Sequence, residues 1–144
     1  MTDQSIYTEK LERRDIRPTA MRILILKKMI EADRALSILD LENLLETAEK
    51  STIFRTITLF LTHQLVHCID DGSGSVKYAV CDNACTCSVE DLHSHFYCEG
   101  CKKTFCMDSI PVPVVQMPKG FTLQSINYVL KGLCADCSVK QQNR

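Results

Sequence analysis

Cys98-Glu-Gly-Cys101 and Cys134-Ala-Asp-Cys137 are two C-x2-C pairs in a chain of 144 residues that holds nine cysteines. Each pair can present two thiolates from one turn, and two pairs complete a tetrahedral tetrathiolate, the donor set of a structural zinc ion. Gly100 and Gly132, close to the ligands, suit tight turns. The 32 residues between the pairs exceed the span of a compact zinc ribbon, so the pairs must meet through the tertiary fold. One C-x2-C alone reads equally well as a redox pair, and unpaired surface thiols are the plainest alternative. Two pairs in so small a chain favour zinc.

A second cluster mixes donors. His93-Ser94-His95 puts two imidazoles on one side of a strand, because strand side chains alternate with period two. Cys81, Cys85 and Cys87 lie upstream and Cys106 downstream. Two imidazoles with one or two thiolates suit zinc or another borderline-soft divalent metal. A lone histidine is usually structural or exposed, but His-x-His flanked by cysteines on both sides reads as a metal site. Asp70 or Asp71 could complete it in place of Cys106, and Cys85 or Cys81 in place of Cys87. Cys68 has no assigned role.

Composition bounds these readings. With 45% hydrophobic and 24% charged residues the chain is a globular protein. The opening MTDQSIYTEK is polar and no apolar run approaches membrane-spanning length, which argues against a signal peptide or transmembrane helix and for the cytoplasm. There, nine cysteines are expected to serve metal ligation or redox chemistry, not a disulfide framework. A net charge of −1 weighs against a strongly basic nucleic-acid binder, although local basic residues matter more than the sum.

The elements that must position the donors fall in two halves. Residues 1–67 read as helices. Pro18-Thr19 opens one with Met21, Leu24, Ile25 and Met29 on a stripe; Ser37 and Asp40 form a capping box before Leu41, Leu44 and Leu45; Ser51 or Thr52 starts a third, with Ile53, Ile57, Phe60 and Leu61 on one face. LVHCIDDGSGSVKYAV then has two β-rich arms around Asp-Gly-Ser-Gly, a hairpin signal. Helices followed by such a hairpin have the order of a winged helix. CDNACTCSVED reads as a linker. From His93 the chain alternates in β fashion through HSHFYC, KKTFCM and FTLQSINYVLKG, with too little aliphatic core to stand easily without a metal staple or dimerisation.

The helix Ser51-Thr-Ile-Phe-Arg-Thr-Ile buries Ile53 and Ile57 and is expected to present Thr52, Arg55 and Thr56 on another face, with Lys50 at its entrance. Arginine suits bidentate contact with guanine or phosphate, and a helix N-terminus suits phosphate. Arg13, Arg14, Arg17 and Arg22 could add backbone contacts.

With these residues the chain resembles the ferric-uptake-regulator family over nearly its whole length. The resemblance runs through Arg17-Pro-Thr-Ala-Met-Arg22, STIFRTITLF followed by LV, HSHFYCEGC and KGLCADC. It implies an α+β protein: a winged helix-turn-helix DNA-binding domain over residues 1–82, then a small α/β dimerisation domain over 83–144 with a zinc-stapled antiparallel sheet. It also implies a homodimer on palindromic, usually A/T-rich operator DNA, repressing when metal is bound. By position, Cys98, Cys101, Cys134 and Cys137 match the family's structural zinc ligands, and His93 and His95 its sensing histidines. Cys87 falls where zinc-sensing members often carry cysteine, and Cys106 where many members place a carboxylate. A second, regulatory zinc per subunit follows. Phe54 stands where the family often has tyrosine, and is counted with Arg17, Arg22, Lys50, Ser51, Thr52, Arg55 and Thr56 as a DNA-contact candidate. DRALSILDL lacks a histidine near Ala35, where iron and peroxide sensors supply a ligand. IPVPVVQMP is proline-rich where many members have a helix.

Thiolates in place of carboxylates, and the missing histidine, turn the expected metal towards zinc and away from the harder Fe2+ and Mn2+. The expected function is a zinc-responsive repressor of metal homeostasis genes, not an enzyme. The rivals are an iron- or peroxide-responsive regulator, a thiol-redox sensor, a zinc hydrolase and an interaction module without DNA. The hydrolase is the weakest, since no general base can be named.

Overall fold

Thr19 accepts the Arg22 amide at 3.3 Å and starts helix α2, Ala20–Glu31, as its pattern predicts. This computed structural model describes residues 3–32, 34–80, 93–113, 115–124, 126 and 128–142. Helix α1 is Asp3–Arg13, α3 is Ile38–Leu44 and α4 is Lys50–Thr62. Ser37 and Asp40 form the expected reciprocal capping box on α3. Helix α4 begins at Lys50, slightly earlier than its hydroxyl residues imply, and Glu49 at its N-cap makes no side-chain cap.

The apolar stripes meet in one core of Leu11, Ile16, Ile25, Leu26, Met29, Leu36, Leu41, Ile53, Ile57, Phe60 and Val66. His63 Nδ1 lies 2.8 Å from the Arg14 carbonyl and ties the end of α4 to the end of α1. The predicted hairpin follows: β1, Val66–Ile69, pairs antiparallel with β2, Lys77–Val80. Gly72 and Gly74 supply the positive φ values of its turn, at 80° and 87°.

The second sheet contains β3, His93–Cys98, β4, Thr104–Pro111, and β5, Val129–Gly132, in the order β4-β3-β5. Helix α5, Ala135–Gln142, closes the chain. The expected antiparallel sheet is mixed. β4 runs antiparallel to β3, whereas β5 runs parallel to it with Cys98 opposite Gly132. Parallel pairing brings the C-terminal ends of β3 and β5 together, and each end leads into one C-x2-C pair. Among the described residues, the expected strand over FTLQSINYVLKG covers only its last four, and those of 112–128 contain no helix. The boundary expected at 82/83 lies outside the described residues.

The hairpin docks on this sheet. The Ala35 amide donates to the Thr104 carbonyl at 2.8 Å, and Ala35, Ile69 and Ala79 form a small apolar cluster with Cys106 and Val129.

Candidate metal centres and the exposed helix

Cys98 ends β3, Cys101 lies in the turn that follows, Cys134 precedes α5 and Cys137 is in its first turn. All four sulfurs lie within 4.8 Å of one another. Cys101 Sγ and Cys134 Sγ are 3.9 Å apart. A tetrahedron with metal–sulfur bonds of about 2.3 Å has edges of about 3.8 Å, so the sulfur set fits zinc. Cys98 Sγ also accepts the amides of Cys101 and Cys134, at 3.4 and 3.3 Å. Those amides lower the Cys98 thiol to about 6, while hydrogen bonding to Cys98, followed by burial, pushes Cys137 up to about 12. Without a cation, four adjacent sulfurs cannot all ionise.

Gly100 serves close approach here: a Cβ on it would lie 3.0 Å from Cys137 Sγ. The left-handed residue of the turn is Lys102, at φ 65°, whose amide donates to the Cys98 carbonyl at 2.9 Å. A cleft of about 290 Å3 opens over Cys101, Cys134 and Cys137, and Arg34, Lys103 and Lys140 line it. Their positive charge opposes the double negative charge of a zinc tetrathiolate.

The second cluster joins the two halves of the chain. His67 on β1, His95 on β3 and Cys106 on β4 place one donor atom each within 4.8 Å of the others. His67 Nε2 and His95 Nε2 are 3.0 Å apart, with ring centroids separated by 5.1 Å. Cys106 lies directly across the ladder from His95. His95 is buried, and His67 and Cys106 are half-buried. Two imidazole nitrogens and a thiol converging at this spacing suit a tetrahedral zinc with room for a fourth donor.

Of the sequence candidates, His95 and Cys106 meet here. Cys87, Cys81 and Cys85 lie outside the described residues. His93 begins β3, and the ladder register shifts between His93 and Ser94. Asp71 is engaged elsewhere, by Ser73, Lys77 and Thr104, and Asp70 accepts the Gly72 amide at 3.1 Å.

On α4, Lys50, Ser51, Phe54 and Arg55 are exposed, Phe54 by 57%, and Thr52 is half-buried. Thr56 does not share that face. It is only 8% exposed, on the core side with Ile53, Ile57 and Phe60, and its hydroxyl donates to the Thr52 carbonyl at 2.8 Å. The helical period explains this, since Thr56 follows buried Ile53 by three residues. Thr58, four residues beyond Phe54, is exposed instead. Arg17 is exposed, while Arg22 folds back so that its guanidinium donates to the Arg17 carbonyl at 2.8 Å.

No protein-family description and no curated protein matches this chain in sequence. Solved structures do match its fold. A zinc uptake regulator complexed with zinc and DNA superposes with a TM-score of 0.70 at 21% identity, covering 99% of each chain. The fold is that of the metal uptake regulators. A Pseudomonas aeruginosa ferric uptake regulator with manganese shares it at a TM-score of 0.60 and 19% identity, over 90% of this chain and 98% of that one. A zinc-bound manganese uptake regulator gives 0.60 and 17%, over 89% and 98%. Their α+β fold is the one expected from the sequence.

His67 is the cluster residue that sequence reasoning missed. It sits in LVHCID, read only as one arm of a hairpin. The signal was its place on the strand: two residues before buried Ile69, it shares the face that meets the sheet. Ala35, near which the sequence carries no histidine, packs in the cluster that includes Cys106.

Proposed function

We propose that this chain is a metal-responsive repressor of the ferric-uptake-regulator family, zinc-responsive, which binds palindromic operator DNA as a zinc-loaded homodimer and controls metal homeostasis genes. One observation carries the reading: a donor cluster that takes His67 from the wing hairpin and His95 and Cys106 from the sheet domain.

Cys98, Cys101, Cys134 and Cys137 would hold a structural zinc that joins the ends of β3 and β5. His67, His95 and Cys106 would hold the regulatory zinc, with Cys87 and His93 as candidates for the remaining position. A metal in this site is a divalent electrostatic cross-link. The chain's own residues do the rest: His67 carries the hairpin with it, and the hairpin continues from α4 through the shared core around Phe60, Leu65 and Val66. Fixing His67 against the sheet therefore fixes the orientation of α4. Lys50, Ser51, Phe54 and Arg55 would then meet DNA, with Thr52, Arg17 and Arg22 at its edge. If the DNA-competent orientation binds zinc better than the open one, zinc shifts the population towards it.

The thiol of Cys106, where harder metals would favour a carboxylate, supports zinc over Fe2+ or Mn2+. Exposed Ile110, Val115, Met117 and Phe121, the last 68% exposed, support a second copy of the chain covering apolar surface of the sheet domain. No helix among the described residues is long and apolar enough to cross a membrane, consistent with cytoplasmic action.

The test is DNA binding titrated with Zn2+, Fe2+ and Mn2+ under reducing conditions, with metal content measured in parallel. Zinc should restore binding at the lowest free concentration. Restoration by Fe2+ while zinc has no effect would make the chain an iron regulator. Loss of binding on mild peroxide at constant zinc would make it a thiol-redox sensor.

A further inference from the structure

Beside the candidate bridging site, and outside it, the hairpin holds a buried charge. The carboxylate of Asp71 is fully buried. Its Oδ2 accepts from Lys77 Nζ at 3.0 Å and from the Thr104 hydroxyl at 2.5 Å, and its Oδ1 accepts the Ser73 amide at 2.9 Å. Lys77 Nζ also donates to Ser73 Oγ at 3.2 Å and lies 5.9 Å from the centroid of the Tyr97 ring. Asp71 and Lys77 belong to the hairpin, whereas Thr104 and Tyr97 belong to the sheet.

The register gives this contact a definite place. Cys106, His95 and Val129 lie side by side across β4, β3 and β5, and two residues along each strand come Thr104, Tyr97 and Lys131. Residues two apart on a strand share a face, so both rows front the hairpin, about 7 Å apart. The first row meets His67, Ile69 and Ala79. The second meets Asp71, Lys77 and Gly72; a Cβ on Gly72 would come within 2.7 Å of Lys131 Nζ. A hairpin anchored at one row can pivot about it. One anchored at both is fixed in direction.

We propose that Asp71, Lys77 and Thr104 form a clasp that positions His67 against His95 and Cys106, so that residues which touch no metal set the affinity of the bridging site. The inference rests on the bridging-site reading above. Thr104 is the joint of the clasp. Its hydroxyl is the sheet's hydrogen bond to the buried carboxylate, and its carbonyl accepts the Ala35 amide. Without that hydroxyl, burying Asp71 leaves a lone pair unmet, which favours withdrawal of the hairpin into water.

The experiment compares Thr104→Val, Thr104→Ser and His67→Ala with the native chain, each with the tetrathiolate site filled. Two readouts are taken: Zn2+ affinity of the second site by chelator competition, and hydrogen exchange of the Ala35 amide before that site is loaded. Thr104→Val should weaken zinc by about 10- to 100-fold, the usual cost of losing a group that orients a ligand, and should speed Ala35 exchange by at least tenfold. Thr104→Ser, which restores the hydroxyl, should return both near native values. The clasp is overturned if His67→Ala loses zinc while Thr104→Val keeps native affinity, or if Thr104→Val lowers only the melting temperature. If His67→Ala itself leaves zinc affinity unchanged, the bridging reading fails, and the clasp with it.

Discussion

Replacing His67 with alanine should uncouple metal from DNA while leaving the rest of the molecule intact. His95 and Cys106 remain opposite each other on paired strands, so they can still hold zinc, though more weakly. What disappears is the donor contributed by the hairpin. Zinc in the variant would bind the sheet domain alone and would have no differential affinity for the two orientations of α4. Coupling in such systems is typically about 1–3 kcal/mol, or about 5- to 150-fold in affinity. All of it should vanish, because a ligand that binds two states equally shifts neither. The assay is fluorescence anisotropy of a labelled palindromic duplex, selected from a random pool by the zinc-loaded native protein. The duplex is titrated at buffered low and high free zinc. Native protein should tighten by the full factor. His67→Ala should bind at both zinc levels as the native protein does at low zinc, with the tetrathiolate zinc retained. A variant that still tightens by the native factor would refute the bridging mechanism.

Three further outcomes follow from the same geometry. Arg55→Ala should weaken DNA binding by about 1–3 kcal/mol if its guanidinium meets a guanine edge, whereas Thr56→Val, on the buried face of α4, should leave it nearly unchanged in the same anisotropy assay. Cys134→Ser should release the structural zinc and detach β5 from β3, seen as loss of dispersed amide resonances from Phe96 to Cys98 and Leu130 to Gly132, while the resonances of α2–α4 persist. Burial raises the Asp71 carboxyl, but hydrogen bonds from Ser73, Thr104 and Lys77 outweigh it and hold the group well below its ordinary 3.8. A depressed carboxylate stabilises the fold above its unfolded-state value and loses that contribution as pH falls through the folded-state value. The stability advantage of the native chain over Asp71→Asn should therefore be complete at pH 5 and above and shrink below about pH 4; denaturant melts that show a constant difference would contradict it.

How far the sequence could be read depended on whether the signal was local. The cap at Thr19, the box at Ser37–Asp40 and the Asp-Gly-Ser-Gly turn are encoded within a few residues, and all three stand in the structure. The two C-x2-C pairs were legible for the same reason, although their meeting depends on the parallel register of β5, which spacing alone does not give. Thr56 was assigned to the wrong face because a hydroxyl was read as polar surface, when helical spacing from Ile53 puts it in the core. His67 was not found because its partners, His95 and Cys106, are 28 and 39 positions away, and only the docking of hairpin on sheet brings them together. The Asp71 clasp was invisible for the same reason: the sequence offers Asp71 only as a possible metal donor, and its partner Thr104 is 33 positions away.

The most direct test of the account is reciprocal. Zinc affinity of the second site is measured by chelator competition with and without saturating palindromic duplex, at fixed salt. If zinc promotes DNA binding through the bridge of His67 to His95 and Cys106, DNA must tighten zinc by the same factor that zinc tightens DNA, about 5- to 150-fold. Equal zinc affinities with and without DNA would contradict the account at its centre.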